Sequence, residues 1–297
     1  MMPTRPEPSC AGENEPISLP EGCVDVWICR VADSDDTETQ ARCRQAMSAE
    51  ERTKQAAFHF AKDRLRYLLT RGLARYALSR YLPLPPESWR FQSNAYGRPV
   101  IGNAPRDARW LTFNLSHTDE IIAMAIGRHL ALGVDIERAH ADAPLSIADS
   151  FFAKAEARQL RDLPDSLRSR RFYELWTLKE CYVKAKGAGL SIPLDKFSFD
   201  LDRTDEVGIR FDPALADAPS RWLFWQWHLS PDHIAALCVE RPAERACRVR
   251  QWQSVPFRHY CEVPFQTERA SAAASRPRSD SGSACALSAL AHQETGQ

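Results

Sequence analysis

The sequence predicts an α+β protein made of two similar halves, and two observations carry that prediction. Long tracts of helical period are followed by clusters of short alternating strands, and this succession occurs twice, once before about Leu130 and once after. The chain has 297 residues, 44% hydrophobic and 26% charged, which suits one large domain or two small ones. No strong direct repeat accompanies the pattern, so the two halves are read from the order of elements alone.

Taken in order, residues 1–22 hold five Pro and no periodicity and read as a disordered leader. Cys23 to Ala32 alternates as a first strand, and a short polar helix follows around Thr37 to Gln45. Ser48-Ala-Glu-Glu51 is a capping-box pattern that opens a helical region reaching about Leu82. Phe58, Leu65, Leu68, Leu69 and Leu73 supply its apolar face, and Arg52, Lys54, Lys62, Arg64, Arg66, Arg71 and Arg75 make it basic. Such a helix is either a solvated surface or a set of cations presented to a polyphosphate. Pro83, Pro85 and Pro86 end it.

Trp89 to Gln92 and Arg98 to Ile101 flank the turn signal Asn94-Ala-Tyr-Gly97, which predicts a hairpin. Short strands follow at Leu111–Leu115, Ile121–Ile126 and Leu130–Ile136. A helical tract runs from Pro144 to about Leu163, and a second helix from Phe172 stops at Gly187-Ala-Gly189 with Pro193 just beyond. Lys196–Phe199, Val207–Phe211, Trp222–His228 and Ile234–Val239 read as strands again. This divides the chain into a leader (1–22), an N-terminal half (23–129), a C-terminal half (130–245) and a tail (246–297) that is Ala/Ser-rich from Ser271 and is expected to be largely disordered.

Composition excludes several function classes. Lys plus Arg and Asp plus Glu are 39 each, a formal net charge of zero, which argues against general nucleic-acid binding. No apolar run approaches the ~20 residues of a membrane helix, and the N-terminus shows no secretory pattern. Nine Cys without a CxxC pair read as reduced thiols of a cytoplasmic protein. His228 and His233, beside apparent strands, read as packing or surface residues rather than zinc ligands.

Three motifs carry chemistry. In Gly133-Val-Asp135-Ile-Glu137, period-two alternation sends both carboxylates to one strand face, where they repel unless a cation sits between them or the face is well solvated. In the helix Phe172–Leu190, Tyr173, Trp176, Glu180, Lys184 and Gly187 share a face, while Lys179 and Lys186 point off it as surface or carrier-contact residues. Joined by Glu180, the two strand acids make three hard oxygen ligands suited to Mg²⁺. Phe113-Asn-Leu-Ser116-His117 ends a strand; its hydroxyl and imidazole either donate to phosphate or cap a turn. Tyr96-Gly-Arg98-Pro99 is in isolation a hairpin turn with an exposed Arg.

The order YGRP, FNLSH, GVDIE and WTLKECYVKAKGAGL resembles the 4′-phosphopantetheinyl transferase family, in its larger, monomeric, two-lobed type acting on acyl and peptidyl carrier proteins. The similarity covers about Cys23 to Glu240. It implies a pseudo-dimeric α+β fold, each lobe a small antiparallel sheet packed on a long helix, with coenzyme A and Mg²⁺ between the lobes. It also implies transfer of the phosphopantetheine arm to a carrier serine, with release of adenosine 3′,5′-bisphosphate. By position, Asp135, Glu137 and Glu180 match the metal-binding acids. Glu180 also matches the residue that helps deprotonate the serine, and Lys184 matches the lysine on the pyrophosphate. Lys54, Arg98, Asn114, Ser116, His117 and Asp135 match coenzyme A contacts. The basic stretch Arg158 to Arg171 is either a dock for an acidic carrier or a solvated helix. Two readings compete with the transferase: a Mg²⁺-dependent hydrolase using the same acids with water as acceptor, and a non-catalytic coenzyme A- or carrier-binding module.

Overall fold

The computed structural model describes residues 10–11, 16–140, 142–242 and 246–275. Its first part contains β1 (Cys10–Ala11), β2 (Cys23–Arg30), α1 (Thr37–Ala46), α2 (Ala49–Ala56), α3 (Ala61–Leu78), β3 (Phe91–Ser93), β4 (Pro99–Ile101), β5 (Leu111–His117) and β6 (Ile121–Arg128). Next come β7 (Leu132–Arg138), α4 (Leu145–Phe151), α5 (Lys154–Asp162), α6 (Asp165–Lys186), β8 (Phe197–Asp200) and β9 (Gly208–Phe211). The chain finishes with β10 (Trp222–Ser230), β11 (His233–Glu240), β12 (Arg248–Val255), β13 (His259–Val263), β14 (Arg269–Ala270) and α7 (Ala272–Ser275). No helix among the described residues is long and apolar enough to cross a membrane.

Strand parity decides the layers. Val24, Val26 and Ile28 of β2, with Ile121, Ala123 and Ala125 of β6, share one buried cluster with Val134 and Ile136 of β7 and Leu223, Trp225 and Trp227 of β10. Residues of the opposite parity, Trp27, Cys29, Ile122, Met124 and Ile126, pack on Leu68, Leu69 and Leu73 of α3. Phe224, Ala236 and Cys238 likewise pack on Leu178, Cys181 and Tyr182 of α6. Two sheets therefore stack face to face, each covered outside by a long helix, which makes the α+β, two-lobed architecture. β6 is buried on both faces and reads as a continuous apolar run, whereas β2, expected as an alternating strand, is buried on both faces with Asp25 among its buried residues.

One sheet runs β1-β13-β12-β2-β6-β5 and the other β14-β10-β11-β7. The first includes a parallel pair, β2 with β12, within an otherwise antiparallel arrangement. β12 and β13 correct the expectation of a disordered tail: this segment is central to the sheet of the N-terminal half. Trp252 stacks on Trp27 with ring centroids 5.8 Å apart. Arg250 forks onto the buried Asp25 at 2.6 and 2.7 Å and also donates to the Ser18 carbonyl at 2.8 Å. That last contact corrects the leader too, since Leu19 is buried and the Ile17 amide donates to the Arg80 carbonyl at 2.7 Å. The remainder of both expectations, residues 1–9, 12–15 and 276–297, lies outside the described residues.

Local chemistry explains the helix ends. Ser48 and Glu51 form the predicted capping box on α2. The expected single helix to Leu82 is interrupted between Ala56 and Ala61, so the basic residues fall on two helices rather than one. Arg75 is buried and paired with Glu51 at 2.6 Å, and Arg71 meets the same carboxylate at 2.7 Å. The solvated reading of this region therefore fails for those two. α6 ends at Gly187, whose φ of 65° is the left-handed cap a glycine permits.

Lys179 is a further correction. It is fully buried rather than at the surface, 2.7 Å from Glu156 of α5, and donates to the Leu194 and Phe197 carbonyls at 2.8 Å each. The off-face side of α6 is roofed by α5 and β8, so that face cannot be solvated. The cysteines whose side chains are described carry free thiols.

Candidate active site

The site forms where an edge strand of each sheet meets. β5 ends the first sheet and β7 ends the second, and they lie side by side without a backbone ladder. Side chains replace the ladder. Asn114 and Ser116, two apart and so on one face of β5, accept hydrogen bonds from the amides of Val134 (2.9 Å) and Ile136 (3.3 Å) on β7. Hence the FNLSH motif sews the two lobes together.

On β7, Val134 and Ile136 enter the core between the sheets, which turns Asp135 and Glu137 towards α6. The strand approaches the helix this closely because residue 133 is glycine. A Cβ there would stand 2.1 Å from the Cys181 carbonyl oxygen and 2.5 Å from the Ala185 nitrogen. Trp176, Glu180 and Lys184, at i, i+4 and i+8 on α6, face the same space. The Lys184 ammonium donates to Asp135 Oδ1 at 2.6 Å, Ser116 Oγ at 2.8 Å and the Val134 carbonyl at 3.3 Å. Ser116 also donates to Asp135 Oδ1 at 2.9 Å, while Asp135 Oδ2 is buried with no partner.

Crowding the acids disfavours their charges. Burial, then the neighbouring Asp135, pushes the Glu137 carboxyl up to about 7; Lys184 and a hydrogen bond from Trp176 oppose the shift. Burial and then Asp135 also raise Glu180, again against Lys184. Asp135, Glu137 and Glu180 are the residues that could hold a divalent cation, being hard oxygens with one buried carboxylate oxygen unsatisfied. Among the described residues, no three His, Cys, Asp or Glu side chains close into a metal-binding group, and Lys184 is the cation these acids share.

The opposite wall comes from the basic helices. Lys54, Asp63, Arg66, Tyr67, Thr70 and Arg71 line the same cleft of about 630 Å³ with Ser116, His117 and the acids. Positions 63, 66, 67, 70 and 71 recur at helical spacing, so the periodicity of α3 carries this face, and Asp63, Tyr67 and Thr70, absent from the sequence-based set of site residues, share it with the cations. Arg66 is held by Asp63 at 2.7 Å and by Asp119, whereas Lys54 is exposed with its ammonium 5.8 Å from the Tyr67 ring. His117 is exposed and lines the cleft. The surrounding wall, then the cations Arg66 and Lys184, hold its pKa below the ordinary imidazole value.

Two residues matched to coenzyme A contacts stand apart from this cleft. Arg98 donates to four backbone carbonyls: Lys184 (2.5 Å), Ala185 (3.4 Å), Phe113 (3.1 Å) and Leu132 (3.0 Å). It caps the negative end of α6 and ties β5, β7 and the β3–β4 hairpin to it. Asn94 adds a bond from its amide to the Gly187 carbonyl at 2.9 Å. Asn114 is buried, with its oxygen engaged by Val134. Both residues border a smaller hollow of about 240 Å³ that shares Pro99, Leu115, Glu180 and Lys184 with the cleft, and Arg98 also lines a cavity of about 600 Å³. Within Arg158–Arg171, Arg161, Arg168, Arg170 and Arg171 are each paired with a carboxylate, which blunts that stretch as a basic dock.

Comparison with known proteins gives the family of the chain. Residues 131–238 match the 4′-phosphopantetheinyl transferase superfamily, and residues 35–128 match the family described as 4′-phosphopantetheinyl transferase, N-terminal. The chain is 33% identical over 205 residues to the 4′-phosphopantetheinyl transferase Sfp of Bacillus subtilis (strain 168), covering 69% of this chain and 87% of that one. Similarity to the Bacillus subtilis 4′-phosphopantetheinyl transferase ffp is 30% over 217 residues, 73% of this chain and 91% of the relative. For the 4′-phosphopantetheinyl transferase HetI of Nostoc sp. it is 31% over 182 residues, 61% and 76%.

Proposed function

Because the chain belongs to the 4′-phosphopantetheinyl transferase superfamily, and is on that account a transferase, we propose that it moves the phosphopantetheine arm of coenzyme A to a serine of an apo acyl or peptidyl carrier protein, releasing adenosine 3′,5′-bisphosphate. The observation that supports this most is the convergence, in one cleft of about 630 Å³, of Asp135, Glu137, Glu180 and Lys184 with a wall that carries Lys54, Arg66 and Arg71. That is the equipment phosphoryl transfer needs: charge to neutralise on a diphosphate, and a nucleophile to hold in line.

In this reading Lys54, Arg66 and His117 receive the phosphates of the adenosine end, and Lys184 moves its ammonium onto the diphosphate. Ser116 orients Lys184 and Asp135 through the bonds already described. Asp135, Glu137 and Glu180 would hold Mg²⁺, which when bound neutralises diphosphate charge. Glu180 lies on the face of α6 that lines the cleft and takes the serine proton there, directly or through a water. The carrier serine enters from the open side of the cleft, beside Trp176. The protein works as a monomer in the cytoplasm, with no nucleic acid or membrane as partner.

The test is intact-mass spectrometry of an apo carrier incubated with the protein, coenzyme A and Mg²⁺. A gain of one phosphopantetheine arm, lost on chelation, is expected. Coenzyme A cleaved with carriers unmodified would convert the reading to hydrolysis, and coenzyme A left intact across several carriers would leave only binding.

A further inference from the structure

Lys184 stands in a cage of oxygens. Asp135 Oδ1, Ser116 Oγ and the Val134 carbonyl all lie within 3.3 Å of its ammonium. Glu180 follows the same helix face one turn earlier, and Glu137 lies two residues along the strand from Asp135. Such a set of hard oxygens around one point of positive charge is what a divalent cation would also select. The second oxygen of Asp135 is buried and unpartnered, so the ammonium leaves the carboxylate only half satisfied.

We propose that Lys184 is a tethered stand-in cation: in the free protein it neutralises Asp135 and keeps divalent metal out, and it gives up the site only when an anionic diphosphate draws its ammonium away. The inference rests on the assignment of Asp135, Glu137 and Glu180 as metal ligands. Lys184 can make this move because its side chain keeps 25% of its exposure, against 4% for Asp135. Its four-carbon stem pivots from a fixed backbone, since Arg98 bonds the Lys184 carbonyl and Gly187 caps the helix. An ammonium and a dication cannot both sit against one carboxylate without strong like-charge repulsion. Linkage then makes diphosphate and metal bind cooperatively, each favouring the other through Lys184.

The experiment titrates Mn²⁺ alone, followed by electron paramagnetic resonance, into the full chain as wild type, Lys184→Met and Lys184→Arg. Lys184→Met should bind Mn²⁺ about tenfold or more tightly than wild type, equivalent to about 1.4 kcal/mol. Lys184→Arg, which keeps the cation, should stay near wild type. In parallel, Mn²⁺ should raise the thermal midpoint of Lys184→Met more than that of the wild type. Lys184→Gln gives the same readout if the Met variant does not fold. Equal measurable affinity in wild type and Lys184→Met would overturn the stand-in role and leave the metal assignment intact. Absence of Mn²⁺ binding in every variant would overturn both, because the three acids would then not be a metal site.

Discussion

Adding one methyl group at Gly133 tests whether the spacing between β7 and α6 sets the chemistry. In Gly133→Ala the new Cβ would lie 2.1 Å from the Cys181 carbonyl oxygen and 2.5 Å from the Ala185 nitrogen, both backbone atoms that no rotamer change can move. Restoring ordinary contact requires strand and helix to part by roughly 1 Å or more. Asp135 rides on that strand and Lys184 on that helix, so their 2.6 Å bond must break or twist. Overpacking of this kind costs about 1–3 kcal/mol of stability. A displacement of about 1 Å among groups that must act together lowers turnover about 100-fold. Gly72→Ala is the control: its Cβ would meet Cys43 Sγ at 2.2 Å between α1 and α3, away from the cleft. Both variants should lose stability in urea unfolding, and only Gly133→Ala should lose the transfer rate at a temperature where each remains folded. Gly133→Ala with a wild-type rate would refute the idea that this approach positions the acids against Lys184.

Other outcomes follow from the same geometry. Glu180→Gln should abolish transfer while unfolding no earlier than wild type, because burial and Asp135 already disfavour its charge; retained turnover would remove it as the base. Lys179→Met strands the Glu156 carboxylate, buried at 1% exposure, and should cost about 3–5 kcal/mol in urea unfolding. The double variant Lys179→Met/Glu156→Gln should recover most of that loss, and a single-variant cost below about 1 kcal/mol would contradict the burial of the pair. Glu137 gives a pH signature. Its carboxyl is pushed from an ordinary 4.5 up to about 7, so across that window the folded chain keeps a proton the unfolded chain has released. Stability of metal-free protein should therefore fall as pH rises from about 4.5 to about 7 and level off above, by about 3 kcal/mol. Glu137→Gln should flatten this slope in thermal melts, and an unchanged slope would count against the shift.

Much of the site is legible in the chain because its periodicities are local. Alternation in GVDIE fixes which residues of β7 share a face whatever lies opposite, and the helical repeat does the same for Trp176, Glu180 and Lys184. Turn and cap residues act over a few positions, so the hairpin at Asn94–Gly97, the capping box at Ser48 and the stop at Gly187 were readable for the same reason. What a face meets is another matter. Lys179 reads as a surface residue because a lysine off the Glu180–Lys184 face has no partner within its own helix, yet α5 and β8 arrive to roof it and supply Glu156. Arg98 looks like a free cation in an exposed turn until the end of α6, 86 residues further on, offers it the Lys184 carbonyl.

The sequence by itself therefore determined most of the elements between Cys23 and Glu240, the residues that share a face on each, and the inventory of acids and cations. Tertiary structure alone decided the partners. It inserted β12 parallel to β2, with Arg250 on Asp25 across 225 residues, where the chain taken in order suggested only a tail. It also turned Asn114 and Ser116 into the seam between two sheets. The physical reason is that period and capping are set by bonds within a few residues, whereas burial and charge pairing depend on which distant segment arrives to exclude water.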